Sequence, residues 1–263
     1  MKLLIYIILG IIQGITEPIP VSSSGHLLII KRLFNIKFND LNFEIFVNFG
    51  SFIAITLFYR KEIIDIIKDF ILYIKAKNKT YYKNYKYALM IIISTIPAGI
   101  IGLLLKDKIE NFINIKIIGL SLIITSIMLF LVRNTNGKKE DINTIDALII
   151  GLFQVIALFP GISRSGSTLV GGLSRNLTKE TAFKYSFMLY LPISIATMIL
   201  GVKDIITSNI NHKLLILYII STLISLIVTY ITIDWFKNIL LKDKLKYFIY
   251  YCFIIGLLVI LFL

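Results

Sequence analysis

Charged residues and cysteine are both scarce in this sequence. Only 16% of the 263 residues are charged, whereas 57% are hydrophobic and the mean hydropathy is +0.85. Soluble globular domains carry roughly a quarter charged residues, so this composition excludes that class. Because Cys252 is the only cysteine, an intrachain disulfide and a cysteine-based metal site are also excluded.

Acidic residues are fewer than basic ones, 15 against 28, which gives a net charge of +13. Such a charge can indicate a nucleic-acid ligand, but here the basic residues lie between apolar runs and not on one soluble face. The anionic surface of a lipid bilayer matches that distribution better. We therefore predict a membrane-embedded protein with no nucleic-acid partner.

Long apolar runs are what the sequence has in abundance. A helix needs roughly 17 to 25 apolar residues to cross the bilayer core. Runs of about that length lie near residues 43–59, 88–105, 117–132, 185–202, 214–233 and 247–263, and we predict six full spans there. The apolar start after Lys2 resembles a signal peptide, but no small-residue cleavage site follows it, and we expect it to be retained.

Two further apolar regions are interrupted by polar residues at what should be membrane depth. They are residues 13–26 and 159–168, which carry Pro, Gly and a cluster of Ser. The apolar arms beside them are about 12 to 16 residues long, too short to span comfortably at about 1.5 Å per residue. Each region is predicted to be a re-entrant helix hairpin. The predicted fold is therefore an all-α polytopic membrane protein of about ten helices.

The two interrupted regions resemble each other at a spacing of 141 residues. The matched pairs are Gly10 and Gly151, Gln13 and Gln154, Ile15 and Ile156, Ser22 and Ser163, Ser24 and Ser165, and Gly25 and Gly166. Three predicted spans follow each hairpin, and because three is odd the two repeats should have inverted topology. We predict one transmembrane domain over 1–263, with repeat one at 1–133 and repeat two at 145–263.

The distribution of Lys and Arg indicates the orientation of this fold. Segments 60–86, 133–146, 175–184 and 234–246 together hold 18 Lys and Arg, whereas the segments on the other side hold nine. Positive residues favour the cytoplasmic side, so the four richer segments should lie there and both termini outside. The hairpins then enter from opposite faces, and their tips should meet at a polar cavity near mid-membrane.

The second hairpin carries groups that suit a phosphate. Arg164 offers a planar bidentate fork, and the hydroxyls of Ser163, Ser165 and Thr168 flank it. Gly166 permits close backbone approach, and a half-helix that starts near Ser165 would point free N–H groups at an anion. The sequence therefore predicts an oxyanion site.

The first hairpin carries the acidic group. Gln13 and Glu17 are four residues apart and share one face of a helix. Their oxygens can hold a hard divalent cation, Mg²⁺ or Ca²⁺, with diphosphate oxygens and water completing the shell. The alternative is structural: Glu17 and Arg164 pair and seal the hairpins, since each is costly when unpaired at membrane depth.

His26 directly follows Ser22-Ser23-Ser24-Gly25. A lone histidine in a membrane helix is often a hydrogen-bonded packing residue. Here the serines, a carboxylate and Arg164 should converge on it, which favours general acid–base work. Ser22 is expected to join the phosphate site. The other histidine, His212, lies in a predicted outside loop and is expected to be solvated.

Together these motifs resemble the undecaprenyl-diphosphatase family, which is also known for bacitracin resistance. The likeness covers nearly the whole chain. The motifs that carry it are Gln13-x-x-x-Glu17, Pro20-Val21-Ser22-Ser23-Ser24-Gly25-His26, Phe43-Glu44 and Pro160-Gly161-Ile162-Ser163-Arg164-Ser165-Gly166-Ser167-Thr168. Finding both hairpin motifs in this order is highly specific.

The resemblance implies hydrolysis of undecaprenyl diphosphate to undecaprenyl phosphate and inorganic phosphate in the bacterial plasma membrane. A divalent cation and a polyprenyl diphosphate lipid are the implied cofactor and partner, and the reaction recycles the lipid carrier of cell-wall synthesis. Carried over by motif position, the expected roles are metal or water binding for Gln13 and Glu17, acid–base transfer for His26, and phosphate binding for Ser163, Arg164 and Thr168. Ser23 is the serine expected as nucleophile, and direct attack by water is the alternative. If the cation needs two carboxylates, Glu44 is expected to supply the second.

Two other functional classes use similar features. Inverted repeats with broken helices also build secondary transporters and lipid flippases, but a histidine beside serines and opposite an arginine is more than substrate passage requires. Lipid phosphatases that form a phosphohistidine need a second histidine in the site. His212 is about 48 positions past Arg164 in a predicted outside loop, so that class is rejected. The sequence leaves monomer and homodimer both open.

Overall fold

The computed structural model describes residues 2–34, 41–111, 114–207 and 211–263. Within these ranges the regular structure is helical, apart from an isolated β-bridge between Lys139 and Leu177. The α-helices are α1 Lys2–Thr16, α2 Ser23–Leu33, α3 Leu41–Phe58, α4 Arg60–Ala76, α5 Tyr82–Asn111, α6 Ile115–Val132, α7 Thr144–Ile156, α8 Arg164–Ser174, α9 Lys179–Thr207, α10 His212–Leu241 and α11 Lys246–Phe262. The prediction of an all-α polytopic membrane protein is confirmed.

Helices form at all six positions predicted for full spans, as α3, α5, α6, α9, α10 and α11. Four described segments are long and apolar enough to cross a membrane by themselves: Lys79–Leu105, Ile115–Val132, Lys179–Gly201 and His212–Leu241. By the same measure α3 qualifies only together with α4, and α11 is shorter, with 17 residues. At about 1.5 Å per residue, α10 is roughly 45 Å long, the bilayer thickness with its head groups.

A helix also forms where the sequence was expected to provide only a connection between spans. Residues 60–76 make up α4, which bends away from α3 by 75° and has no buried residue. Charged residues separate the apolar residues of α4, so a search for continuous apolar runs does not find this helix. Its apolar residues instead recur at the helical period.

Both predicted hairpins are present. Residues 17–22 join α1 to α2, and residues 157–163 join α7 to α8. The second arms, α2 and α8, have 11 residues each, or about 17 Å, roughly half of the bilayer core. Because α1 packs on α10 and α7 packs on α5, both turns are held against long helices.

The two halves of the chain exchange equivalent contacts. A Cβ on Gly10 of α1 would lie 2.7 Å from the carbonyl oxygen of Ser221 in α10, and one on Gly151 of α7 would lie 2.6 Å from that of Ser94 in α5. Each hairpin therefore packs its matched glycine on a long helix of the other half. This is the contact pattern of two repeats related by a pseudo-twofold axis. The repeat boundaries at 1–133 and 145–263 stay a prediction.

The same two serines tie the hairpins by hydrogen bonds. Ser221 Oγ donates to the carbonyl oxygen of Tyr6 at 2.8 Å, and Ser94 Oγ donates to that of Ala147 at 2.6 Å. Tyr6 and Ala147 are again 141 positions apart. Lipid tails are as apolar as the helices, so close packing at small residues and such interhelical bonds hold the bundle together.

Replacing a close-packed glycine tests this contact pattern. We expect Gly151→Ala to lower the free energy of unfolding by about 1–3 kcal/mol, because the added methyl group would meet the backbone of Ser94. Gly99→Ala is the matched control, since nothing lies within 4 Å of its Cβ and alanine favours the helix. Thermal unfolding in one detergent compares the variants. Equal midpoints for Gly151→Ala and the native protein would contradict the close approach.

Candidate active site

Each hairpin turn ends in a serine that caps the second arm. Ser22 Oγ accepts a hydrogen bond from the Gly25 N–H at 3.2 Å, and Ser163 Oγ accepts one from the Gly166 N–H at 3.1 Å. Both serines therefore satisfy a backbone donor that lipid would leave unpaired. Ser22 has φ of 70°, a left-handed conformation that is strained for a residue with a side chain. The first turn is thus held in shape by its surroundings.

The two tips touch each other, as the inverted topology predicted. A Cβ on Gly25 would lie 3.4 Å from the Cα of Gly161, and one on Gly166 would lie 3.2 Å from the Cβ of Pro20. Ser165 Oγ of the second hairpin donates to a carbonyl oxygen of the first, that of Ile19, at 3.2 Å. A Cβ on Gly166 would be slightly too close to Pro20, whereas one on Gly25 would make an ordinary contact with Gly161, so glycine at position 166 eases the approach of the two tips.

The carboxylate of Glu17 is the centre of the contact between the hairpins. Its Oε1 accepts from Arg164 Nη2 at 2.8 Å. Its Oε2 accepts from Gln13 Nε2 at 2.8 Å and from Ser23 Oγ at 2.6 Å. The Glu17 side chain is 7% exposed and that of Arg164 is 23% exposed, so the acid is enclosed while the guanidinium can still be reached.

Arg164 is held from its other side by an aromatic ring that the sequence did not single out. Its guanidinium lies 4.3 Å from the ring centroid of Tyr190 in α9. The Tyr190 hydroxyl donates to Asn48 Oδ1 of α3 at 2.5 Å. Tyr190 is buried and lies within a predicted span, where one aromatic residue among many is typical of packing. No local signal marks it, since the contact arises only when α9, α3 and the second hairpin come together.

A cavity of about 270 Å³ opens beside this ion pair. Both hairpins, α3 and α9 line it, through Gln13, Thr16, Glu17, Ser22, Ser23, Ser24, Leu27, Glu44, Asn48, Ala157, Leu158, Ile162, Ser163, Arg164, Ser165, Ile193 and Thr197. Polar groups and apolar side chains share its wall. A cavity of this volume suits a small head group and not a whole lipid.

Three of the predicted site residues lie behind the cavity wall and do not line it: His26, Gly166 and Thr168. Thr168 Oγ1 donates a hydrogen bond to the Arg164 carbonyl oxygen at 3.0 Å and is also within hydrogen-bond distance of Ser186 Oγ, at 2.5 Å. Gly166 is buried at the α8 cap. Thr168 and Gly166 therefore contact the residues that present Arg164 and do not face the cavity themselves.

His26 uses both ring nitrogens in contacts away from the cavity. Nδ1 lies 2.8 Å from the carbonyl oxygen of Ser22, and Nε2 lies 2.8 Å from the hydroxyl of Tyr251, whose ring stacks on the imidazole. A carbonyl oxygen can only accept, so Nδ1 carries the proton and a neutral ring accepts from Tyr251 through Nε2. The histidine thereby braces the strained Ser22 turn against α11.

Oxygen donors for a cation also face the cavity, from Gln13, Glu17, Glu44 and Asn48. Glu44 already pairs with Lys31 at 2.8 Å. Among the described residues no three Asp, Glu, His or Cys side chains lie close enough for a metal site made by protein alone. The donor set therefore fits a hard cation only if diphosphate oxygens or water complete its shell.

The hairpins are alike in shape but different in chemistry. At the repeat spacing, Glu17 corresponds to Leu158 and Ser23 corresponds to Arg164. The counterpart of Gln13 is Gln154, which is 2% exposed and whose amide has no hydrogen-bond partner within the described part of the chain. The first hairpin thus supplies the carboxylate and a hydroxyl, and the second supplies the guanidinium.

Comparison with known proteins identifies the family of this chain. The family model of the bacitracin resistance protein BacA matches residues 6–258, nearly the whole chain. The chain belongs to the BacA family. Similar relatives include undecaprenyl-diphosphatase 1 of Bacillus licheniformis, 42% identical over 261 residues, which are 98% of this chain and 97% of the relative. Undecaprenyl-diphosphatase of Oceanobacillus iheyensis is 40% identical over 263 residues, 98% of this chain and 96% of the relative.

Substitution of Tyr190 tests how Arg164 is held in this chain. We expect Tyr190→Leu to weaken binding of inorganic diphosphate about tenfold, because a buried cation–π contact contributes roughly 1–2 kcal/mol. Tyr190→Phe keeps the ring and should lose less. Calorimetric titration in detergent checks this, with Tyr250→Leu as the control at an exposed tyrosine. Native affinity in Tyr190→Leu would show that the ring does not hold the guanidinium.

Proposed function

We propose that this chain hydrolyses undecaprenyl diphosphate to undecaprenyl phosphate and inorganic phosphate. The reaction would recycle the lipid carrier of cell-wall synthesis in the bacterial plasma membrane and confer bacitracin resistance. The observation that carries the proposal is the Glu17–Arg164 pair, which places an acid, a serine hydroxyl and a guanidinium at one cavity between the hairpin tips. Relatives that match over nearly their full length are named undecaprenyl-diphosphatase.

Substrate binding follows from the two kinds of lining. Arg164 can hold a phosphate through two parallel N–H groups, and the start of α8 adds the positive end of a helix dipole. The hydroxyls of Ser163 and Ser165 lie beside it. Leu158 and Ile193 offer an apolar side to the same cavity, where the first isoprenyl units can lie while the rest of the tail stays in lipid.

The bound diphosphate competes with Glu17 for the guanidinium. In the substrate-free arrangement the arginine neutralises the carboxylate. When Arg164 turns to the phosphate, Glu17 retains its contact with the Ser23 hydroxyl, 2.6 Å away, and is free to accept its proton. Binding of the substrate thereby activates the serine.

Ser23 Oγ is then the nucleophile. Its proton passes to Glu17 as the bond from Oγ to the terminal phosphorus forms, and the bond from that phosphorus to the bridging oxygen breaks. Glu17 returns the proton to the departing bridging oxygen, and undecaprenyl phosphate leaves. Water next attacks the phosphoserine, gives its proton to Glu17 and displaces Oγ, which regains a proton as inorganic phosphate forms. Arg164 stabilises charge on the phosphoryl oxygens in both steps.

A divalent cation, Mg²⁺ or Ca²⁺, is part of the proposal. Gln13 and Glu17 would hold it, with Glu44 as the second carboxylate if Lys31 releases that side chain. When bound, the cation neutralises phosphate charge. Its proposed shell includes diphosphate oxygens, in accord with the oxygen-only donor set of the cavity.

Phosphate release from undecaprenyl diphosphate by purified protein in detergent tests this function. We expect release that needs Mg²⁺ or Ca²⁺ and that falls about 10² to 10³-fold in Arg164→Ala, since the variant loses the charge aimed at the phosphoryl oxygens. Arg32→Ala, at an exposed arginine near the end of α2, should behave as native protein. No release from folded native protein with either cation would refute the proposal.

His26→Ala in the same assay distinguishes two roles for this residue. A brace for the Ser22 turn predicts a lower rate by the same factor across the pH range, because the turn presents Ser23. The general acid–base role predicted from the sequence requires a changed pH profile instead. From the contacts of the ring we expect the first result, with a smaller loss in Tyr251→Phe.

Trapping of the phosphoserine tests the nucleophile. Rapid acid quenching of a reaction with substrate labelled in the terminal phosphate should recover label on native protein, and Ser23→Ala should lower the rate about 10² to 10⁴-fold. Ser24→Ala removes a neighbouring hydroxyl of the same cavity and should lose far less. A Ser23→Ala enzyme with a near-native rate and no labelled protein would mean that water attacks directly.

A further inference from the structure

The helix α4 leaves the bundle at an angle that sets its position relative to the bilayer. It bends by 75° from α3 at Tyr59 and runs over Arg60–Ala76, about 25 Å at 1.5 Å per residue. Because α3 is part of the bundle of spans, a helix at that angle lies nearly in the plane of the membrane. The distribution of Lys and Arg predicts that this plane is the cytoplasmic surface.

One face of α4 is fastened to the bundle by aromatic residues. The ring of Phe70 lies 5.3 Å from that of Tyr85 in α5, and the ring of Tyr73 lies 4.3 Å from it. Asn84 donates a hydrogen bond to Asp69 at 2.7 Å. These contacts give the helix a defined rotation, so its other faces have defined surroundings.

A second face presents an exposed row of isoleucines. Ile64, Ile67, Ile71 and Ile74 are 61%, 55%, 46% and 51% exposed. Steps of three, four and three residues place all four on one side of the helix. The row is continuous along the length of α4, so it is an apolar stripe and not a scatter of single residues.

Lysines follow the isoleucine row along one edge. Lys61, Lys68 and Lys75 are seven residues apart, which lines them up along the helix next to the isoleucines. All three are exposed, and none makes an ion pair or hydrogen bond within the described ranges. Glu62 lies on the far side of the helix, whereas Asp65 lies beside Lys61 and Lys68, and both acidic residues line a separate cavity with residues of α5 and α9. Positive charge therefore borders the apolar row on the side away from the bundle.

We infer that α4 is an interfacial helix that binds anionic phospholipid. Its isoleucine row enters the boundary between head groups and acyl chains, and its lysine row contacts lipid phosphates. Burial as a re-entrant segment is disfavoured, because the lysine row and the acidic residues of α4 would then enter the hydrocarbon. A second copy of the chain is disfavoured as the partner, because two lysine rows would repel each other. The attraction of lysines near a surface to anionic lipid supplies the selectivity.

Tryptophan fluorescence in proteoliposomes tests this inference without relying on catalysis. The chain has one tryptophan, so Trp235→Phe with Ile67→Trp puts the only tryptophan in the isoleucine row, where it can be excited selectively at about 295 nm. We expect quenching by phosphatidylglycerol brominated near the head group to exceed that by equally brominated phosphatidylcholine by about threefold. Lys61→Gln, Lys68→Gln and Lys75→Gln together should remove the difference.

A charge-matched control separates α4 from the general charge of the protein. Lys138→Gln, Lys242→Gln and Lys244→Gln remove three exposed lysines from the same predicted side and should leave the preference intact. Equal quenching by the two lipids in the native background would overturn the inference. So would stronger quenching by bromine near the chain ends, which would place α4 within the hydrocarbon.

Discussion

The ion pair between Glu17 and Arg164 is the contact on which the rest of the site depends. It joins the tips of two hairpins from different halves of the chain, at membrane depth, where neither charge is stable alone. Pairing solves that problem and also determines what surrounds the pair. Ser23 and Gln13 bind the acid, while Tyr190 covers the arginine. Under the proposed function, the sealing role and the catalytic role of these residues are two states of one arrangement.

The hairpin turns have a second requirement: their backbone N–H and C=O groups must find hydrogen-bond partners within the protein. Ser22 and Ser163 cap the two short arms, and the Ser163 N–H donates to Thr125 Oγ1 of α6 at 3.2 Å. Serine and threonine are thus needed in the turns before any chemistry is considered. Their hydroxyls also face the cavity, so the groups that allow irregular backbone in a membrane are the ones available to a phosphate.

The two repeats share their packing and divide their chemistry. Gly10 and Gly151 make matching contacts with Ser221 and Ser94, because each half must bury the same surface against the other. A site at the junction needs unlike groups from its two sides. Two carboxylates, or two guanidinium groups, would repel each other at membrane depth. The difference between Glu17 and its counterpart Leu158 follows from that need.

The sequence by itself determined the membrane class, the positions of the six long helices and both hairpins, and most of the cavity lining. These follow from local properties: the length of apolar runs, breaks by Pro, Gly and Ser, and a repeat spacing that survives in the residues. The helix α4 was not predicted because charged residues separate its apolar residues. Only the tertiary structure decided that Tyr190 holds Arg164, that Lys31 pairs with Glu44 and that the His26 ring turns toward Tyr251. The contact between His26 and Tyr251 joins helices far apart in the chain, and the other two contacts join consecutive helices. In all three, the rotamer of the side chain depends on what tertiary packing places beside it.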